Sequence, residues 1–240
     1  MVLRIRIALP DRPGSLGQVA RTLGVAGADI VQVVVLERAA GRAVDDFTVV
    51  WPGGASVRRV LAGLGAMPGV RVDGIWQAIG APVHGGFDAE LLAQVAVSPV
   101  DGLGTLIDAV PALLAADWAA ALTVPADWAA QPSSAPALIA ASWRTPQAPR
   151  LPEVTPLRAR ALTGPDGTRY AVAPFGRAGL VVVVARSVDD VSVLPEETPY
   201  GEALPDPVPA PFHATEVDRL AQLVRAAALV LGDHLELAAA

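Results

Sequence analysis

Apolar and polar residues alternate along residues 2–9. Leu3, Ile5 and Ile7 fall on one side and Arg4 and Arg6 on the other, which predicts a strand with one buried face. The period then changes. Leu16, Val19, Ala20 and Leu23 recur at helical spacing, Ser15 with Gln18 predicts a capping box, and Gly24 and Gly27 stop the helix. Residues 30–36 are rich in β-branched side chains and predict a second strand, Ala39-Ala40-Gly41 a turn, and residues 44–51 a third strand. Pro52-Gly53-Gly54 breaks that strand. Ser56 is placed to cap a helix carrying Val57, Val60, Leu61 and Leu64 on one face, Met67-Pro68-Gly69 ends it, and residues 70–79 predict a fourth strand. The order is βαββαβ, a split βαβ unit of ferredoxin-like type.

The turn-rich stretch 80–86 follows, and the pattern changes beyond it. Domains are therefore expected at 1–80 and 87–240, with a linker at 81–86. Phe87, Leu91, Leu92 and Val95 predict a short helix, and Leu103, Leu106, Ile107, Val110, Leu113 and Leu114 another, irregular at Pro111. Strand-like stretches follow at 118–124, 137–143, 157–162, 170–175 and 180–186. Gly164-Pro165-Asp166-Gly167 marks one turn between them, and residues 175–179 another of hairpin type. No helix separates these strands, so the second sheet is expected to be antiparallel. Residues 194–211 hold many prolines and acidic residues and read as a surface excursion. Val217, Leu220, Val224, Ala227, Leu231 and Leu235 then form the apolar stripe of a long closing helix.

Composition narrows the function. The 240 residues are 52% hydrophobic and 18% charged, with mean hydropathy +0.45, as expected of a chain that buries a core. The longest apolar run, residues 180–185, is far short of the roughly 18 residues of a membrane span, and no signal-peptide pattern opens the sequence, so a cytoplasmic protein is expected. A net charge of −6 disfavours nucleic acid and anionic membrane as partners. The chain has neither cysteine nor lysine. Thiolate nucleophiles, disulfides, Cys-ligated metals, Schiff-base lysines and Walker A loops are excluded together. No cofactor and no metal site are expected.

The other motifs favour structure over chemistry. Asp101-Gly102-Leu103-Gly104 lacks the third glycine and the preceding strand of a dinucleotide site, and reads as a helix start. His84, His213 and His234 show no ligand spacing. Asp45-Asp46, Asp189-Asp190 and Glu196-Glu197 are adjacent pairs that a strand would send to opposite faces. They read as solvated turn and strand-edge residues. Trp118, Trp128 and Trp143 read as core residues, with a pocket lining as the alternative.

One stretch stands apart. In residues 9–16, Pro13 fixes its own φ and biases Arg12 away from the helical region, and Gly14 frees the backbone just before the helix. Such a turn aims backbone N–H groups outward, where an anion or a small zwitterion could sit. The βαββαβ order, together with Asp11-Arg12-Pro13-Gly14-Ser15-Leu16 and Gly27-Ala28-Asp29-Ile30, closely resembles the ACT domain over about residues 1–80. The resemblance implies regulatory binding of a small molecule, typically an amino acid, between subunits. The implied ligand contacts are Leu9, Asp11, Gly14, Ser15, Leu16, Gly27 and Asp29. Amino-acid-binding members tend to carry Asn where this chain has Asp11 and Asp29, and a polar residue in place of Leu9. The second part resembles a GAF-like domain, through its element order and the entry Phe212-His213-Ala214-Thr215-Glu216-Val217 to the last helix. The expectation is a non-enzymatic α+β regulatory protein, a homodimer that senses a small ligand through the first domain and acts through the second. The alternative is an enzyme subunit whose second domain uses carboxylates or histidine.

Overall fold

The computed structural model describes residues 1–53, 56–78, 85–125, 136–176, 179–188 and 208–235. Expectations for Gly54, Ile79, the linker residues 80–84 with His84, Trp128, residues 177–178, Asp189-Asp190, Glu196-Glu197 and the excursion as far as 207 lie outside these residues. The chain forms two compact units, Met1–Pro82 with Val188–Ala210, and Val83–Ser187 with Pro211–Ala240. Each has its own antiparallel sheet, and five helices lie among the described residues. None is long and apolar enough to cross a membrane.

The first unit runs β1 (Val2–Pro10), α1 (Ser15–Val25), β2 (Asp29–Ala39), β3 (Arg42–Val50), α2 (Val57–Gly65) and β4 (Arg71–Gln77). Its sheet has the order β2-β3-β1-β4. Leu3, Ile5 and Ile7 are fully buried and pack with Val19, Leu23, Phe47, Val60, Leu64 and Ile75. The alternation in β1 thus fixes which sheet face the helices cover. Ala40 and Gly41, both at positive φ (50° and 74°), make the two-residue turn joining β2 to β3. That handedness suits the twist of a hairpin.

Two local expectations need correction. Ser15 does not cap α1: the N-cap is Gly14, at φ 90°, and no side chain bonds the first turn. Gly14 leaves the strand-like region at no steric cost, so the helix opens one residue earlier than a serine cap requires. Ser56 does cap α2, accepting from the Arg59 N–H at 3.4 Å. The second correction concerns Asp45 and Asp46, which are 3% and 0% exposed. β3 lies between β2 and β1, so neither residue reaches the strand edge that the sequence suggests.

The two edges of this sheet differ. Along β4, the Ile75 N–H donates to the Val208 carbonyl at 3.0 Å, and a Cβ on Gly74 would lie 2.5 Å from the Ala210 nitrogen. Gly74 is glycine because this later segment of the chain lies directly against it. β2, at the other edge, pairs only with β3 among the described residues and exposes Val31, Val33 and Val35.

The second unit runs α3 (Phe87–Val97), α4 (Gly102–Leu114), β5 (Trp118–Thr123), β6 (Ala137–Ala141), β7 (Arg160–Thr163), β8 (Arg169–Pro174), β9 (Leu180–Arg186) and α5 (Ala214–Leu231). The strand order is β6-β5-β9-β8-β7, antiparallel as expected. β9 is buried along its whole length, as its apolar run requires. One sheet face packs with the three helices, and the other carries Trp118 and Tyr170, which cluster with Val154. The predicted stripe of α5 is buried from Val217 to Leu231; the helix ends there at Gly232, and Leu235, expected within it, is buried beyond its end. Trp118 joins the core, edge-on to Tyr170, whereas Trp143 is 80% exposed, contrary to expectation. It follows β6, an edge strand with one side unpaired in the sheet, so no neighbouring strand covers it.

Arg186 closes this unit. Its guanidinium is fully buried, donates to the carbonyls of Leu114 (2.6 Å) and Ala115 (3.0 Å) and to Glu216 Oε1 (2.5 Å), and lies 3.9 Å from the Phe212 ring centre. Glu216 Oε2 accepts from the His213 N–H at 2.8 Å, completing a capping box in which the His213 ring accepts from Thr215. One ion pair thereby satisfies the carbonyl end of α4 and the amide end of α5.

Two outcomes follow. Arg186→Met leaves Glu216 buried without its counter-charge and should cost about 3–5 kcal/mol in denaturant unfolding, while Arg186→Met with Glu216→Leu should recover much of the loss. Gly74→Val should displace the 208–210 segment, costing about 1–3 kcal/mol and accelerating hydrogen exchange at the Ile75 amide.

Candidate functional site

The loop between β1 and α1 is held from two directions. The Asp11 N–H donates to the Gly41 carbonyl (2.9 Å), fastening the loop to the β2–β3 turn, and the Ser15 N–H donates to the Arg12 carbonyl (3.2 Å). The Asp11 carboxylate receives Arg38 in a forked pair, from Nη2 at 2.8 Å and Nε at 3.1 Å. Arg38 was not anticipated as part of the site. The register of β1 on β3 and of β3 on β2 carries the end of β2 to the end of β1, and that is where a signal for it lay.

The other expected contacts are distributed as follows. Leu9 is 2% exposed and belongs to the core, so its side chain does not face a ligand directly. Gly14 and Leu16 are exposed, with open space where a Cβ on Gly14 would stand. The N–H groups of Leu16 and Gly17 have no acceptor among the described residues, as the first turn of a helix without a side-chain cap leaves them. Ser15 is buried and its hydroxyl is free of a capping bond.

Gly27 and Asp29 are elsewhere. Asp29 opens β2 opposite Val50, which in turn faces Val2, while Arg38 near the other end of β2 faces Ala43. The nine-residue step from Asp29 to Arg38 puts roughly 30 Å between the two halves of the expected site. Within one chain they do not meet. Gly27 has φ 82°, and a Cβ there would lie 3.3 Å from Pro52, so its role is the turn into β2.

The adjacent aspartates of β3 add what the sequence did not reveal. Asp46 faces Arg6 across the β1 ladder and receives it in a buried fork, Nε to Oδ1 at 2.7 Å and Nη2 to Oδ2 at 2.8 Å. Arg4 Nε lies 3.3 Å from the same carboxylate, and the Arg6 guanidinium lies 5.5 Å from the Trp76 ring centre. Asp45 points to the other face, opposite Ile7 on β1 and Val35 on β2. Its Oδ1 is buried with no hydrogen-bond partner. Burial raises its pKa from the ordinary carboxylate value, the charge of Asp46 adds to that, Arg38 opposes it, and Asp11 adds a smaller push upward.

In the second unit, the acids of the described residues are mostly engaged in holding the fold. Asp88 pairs with Arg219, Glu216 with Arg186, and Asp117 accepts from the Ser187 N–H. An open cavity of about 550 Å³ lies between the start of α4 and β6, with Asp101, Thr105, Asp108 and Ile139 among its lining. Asp101 itself accepts from the Ser98 hydroxyl at 3.0 Å. Among the described residues no group of three His, Asp or Glu side chains is arranged to hold a metal ion.

No family model matches this chain, and no curated protein matches it. Among solved structures it is similar to a formyltetrahydrofolate deformylase from Pseudomonas putida KT2440, at 16% identity and a TM-score of 0.29, over 41% of this chain and 39% of that one. It is also similar to an unknown protein from Galdieria sulphuraria, at 9% identity and a TM-score of 0.30, over 77% of this chain and 78% of that one. The chain thus spans well under half the length of the deformylase. At these TM-scores neither likeness bears on fold or function.

Asp45 sets a pH dependence. A carboxyl whose pKa is higher folded than unfolded favours the fold while it is protonated. That contribution is complete below the ordinary value near 3.8 and is lost as pH rises through the raised folded value. Asp45→Asn, neutral throughout, should therefore melt above the wild type at neutral pH, and the difference should vanish in acid. Melting temperatures of both proteins across the acid range check this.

Proposed function

We propose that this chain is a non-enzymatic regulatory protein, an ACT-like sensor of a small molecule joined to a GAF-like unit, working as a homodimer whose ligand sites are shared between copies. The observation that carries the proposal is the separation of the two expected half-sites along β2. The loop 11–16 lies at one end of this open edge and residues 27–30 at the other. A second copy adding its β2 antiparallel to the first brings residues 27–30 of each chain beside the loop of its partner. The strand is self-complementary for that pairing. With the two-fold axis between Val33 and Val34, Asp29 of one copy meets Arg38 of the other, and the exposed Val31, Val33 and Val35 lie within the paired strands.

The covered β4 edge supports the same reading, because the segment 208–210 occupies part of the only competing edge of that sheet. The strand order β2-β3-β1-β4, with both helices packed on one core, supports the ACT-like reading of the first unit. Two helices, a five-stranded antiparallel sheet and a capped closing helix support the GAF-like reading of the second unit. The resemblance points to an amino acid or a related small molecule as ligand.

Two measurements test the proposal together. Sedimentation should give a dimer, and Asp29→Arg should weaken it by placing like charges opposite each other. A thermal-shift screen of amino acids and small amines at millimolar concentration should find at least one that raises the melting temperature, since a ligand of the native state must stabilise it. A monomer at working concentration overturns the shared site. A screen without any stabilising compound overturns sensing.

A further inference from the structure

Asp45 is a carboxylate in search of a donor. It is 3% exposed, its Oδ1 has no hydrogen-bond partner, and Arg38, whose charge opposes the rise of its pKa, is already forked onto Asp11. Leaving an ionised acceptor buried and unsatisfied is costly, and proteins keep such a group where something else supplies the missing bond.

Its position relative to the loop follows from register and charge. Asp45 sits opposite Ile7, and two residues nearer the loop on the same face are Ala43 and Leu9. Four residues join Pro10 to Ser15, so α1 starts where β1 ends. The charges of Arg38 and Asp11 both act on Asp45, which puts it near the loop at the end of β1. Toward the edge, the cross-strand neighbour of Asp45 is Val35, 54% exposed, so this part of the layer opens along β2 beside the Asp11–Arg38 pair.

Resting on the sensing role given above, we infer that the ligand of this site is a small organic cation whose ammonium group donates to Asp45. The site is divided by charge. Asp11 is spent on Arg38, and the free N–H groups of Leu16 and Gly17 suit a polar or anionic end of a ligand. Among the described residues, Asp45 Oδ1 is the buried carboxylate oxygen without a hydrogen-bond partner. An ammonium placed there forms a charge-assisted bond in a desolvated setting, the strong kind. A second copy paired along β2 adds Asp29 to the same neighbourhood and increases the preference for positive charge. A zwitterion with an uncharged side chain matches this balance less well than a diamine or an amino acid with a basic side chain.

The test compares three probes, 1,4-diaminobutane, L-lysine and L-leucine, by thermal shift and titration calorimetry on the full chain and on Asp45→Asn. The inference expects diaminobutane or lysine to raise the melting temperature by several degrees and leucine to do little. Asp45→Asn should weaken the cationic probe about tenfold or more. Leucine binding as well as or better than the cations overturns the inference and leaves sensing intact. Cation binding that is undiminished in Asp45→Asn also overturns it. No shift with any probe, repeated across the wider screen, removes the sensing role and this inference with it. Should Asp45→Asn fail to fold, the ranking of the three probes on the wild-type protein still decides.

Discussion

In β3, two neighbouring aspartates must point to opposite faces of the sheet, and both are buried. That constraint shapes the first unit. Asp46 goes to the face bearing Arg4, Arg6 and Trp76, where its charge is fully compensated. Asp45 goes to the face of Ile5 and Ile7, where its Oδ1 has no hydrogen-bond partner. Removing two ions from water is repaid only by good geometry, and the fork between Arg6 and Asp46 supplies it. The arginines that alternate with apolar residues in β1 thus do more than mark a solvent face. They neutralise an acid on the neighbouring strand, and with it they fix the register of β1 on β3. Slipping that register by one residue would put Arg6 into the apolar layer and Asp46 against Ile7 or Ile5.

The second unit solves the same problem at helix ends. Arg186 ends β9 within reach of the last carbonyls of α4 and of Glu216 at the start of α5. Each of these groups would otherwise be buried without a partner. The left-handed Ala115, at φ 46°, turns the chain so that its carbonyl and that of Leu114 converge on the guanidinium. A lysine could not serve here, because a single ammonium lacks the planar fork that spans two carbonyls and a carboxylate. In this chain, which has no lysine, buried compensation of charge rests on arginine geometry.

The element order and the antiparallel character of both sheets were legible because periods of two and 3.6 are written directly in residues such as Leu3, Ile5 and Ile7, or Val217, Leu220 and Val224. The capping of α1 was misread, since Gly14 and Ser15 are both acceptable openings and backbone conformation decided between them. The burial of Asp45 and Asp46 was hidden for a different reason. Charge in a sequence signals solvent unless a cross-strand partner is known, and the partner of Asp46 lies forty residues away. Trp143 erred the other way, because the exposure of an aromatic depends on which strand lies at an edge. The loop 11–16 was recognisable from its turn chemistry. Its distance from Asp29 was not, because that requires knowing that α1 returns the chain to the opposite end of the sheet.

That return path gives the site its logic. A helix that crosses the sheet once must deliver β2 to the end remote from the loop, so any ligand touching both segments needs two chains. The start of α1 has no side-chain cap. An uncapped helix start and an unsatisfied carboxylate are each a small penalty to the isolated fold. The departure from the amide residues usual in the ACT resemblance then becomes consistent with the rest of the site. On the proposed reading, carboxylates at Asp11, Asp29 and Asp45 favour the ammonium of a ligand over its carboxylate.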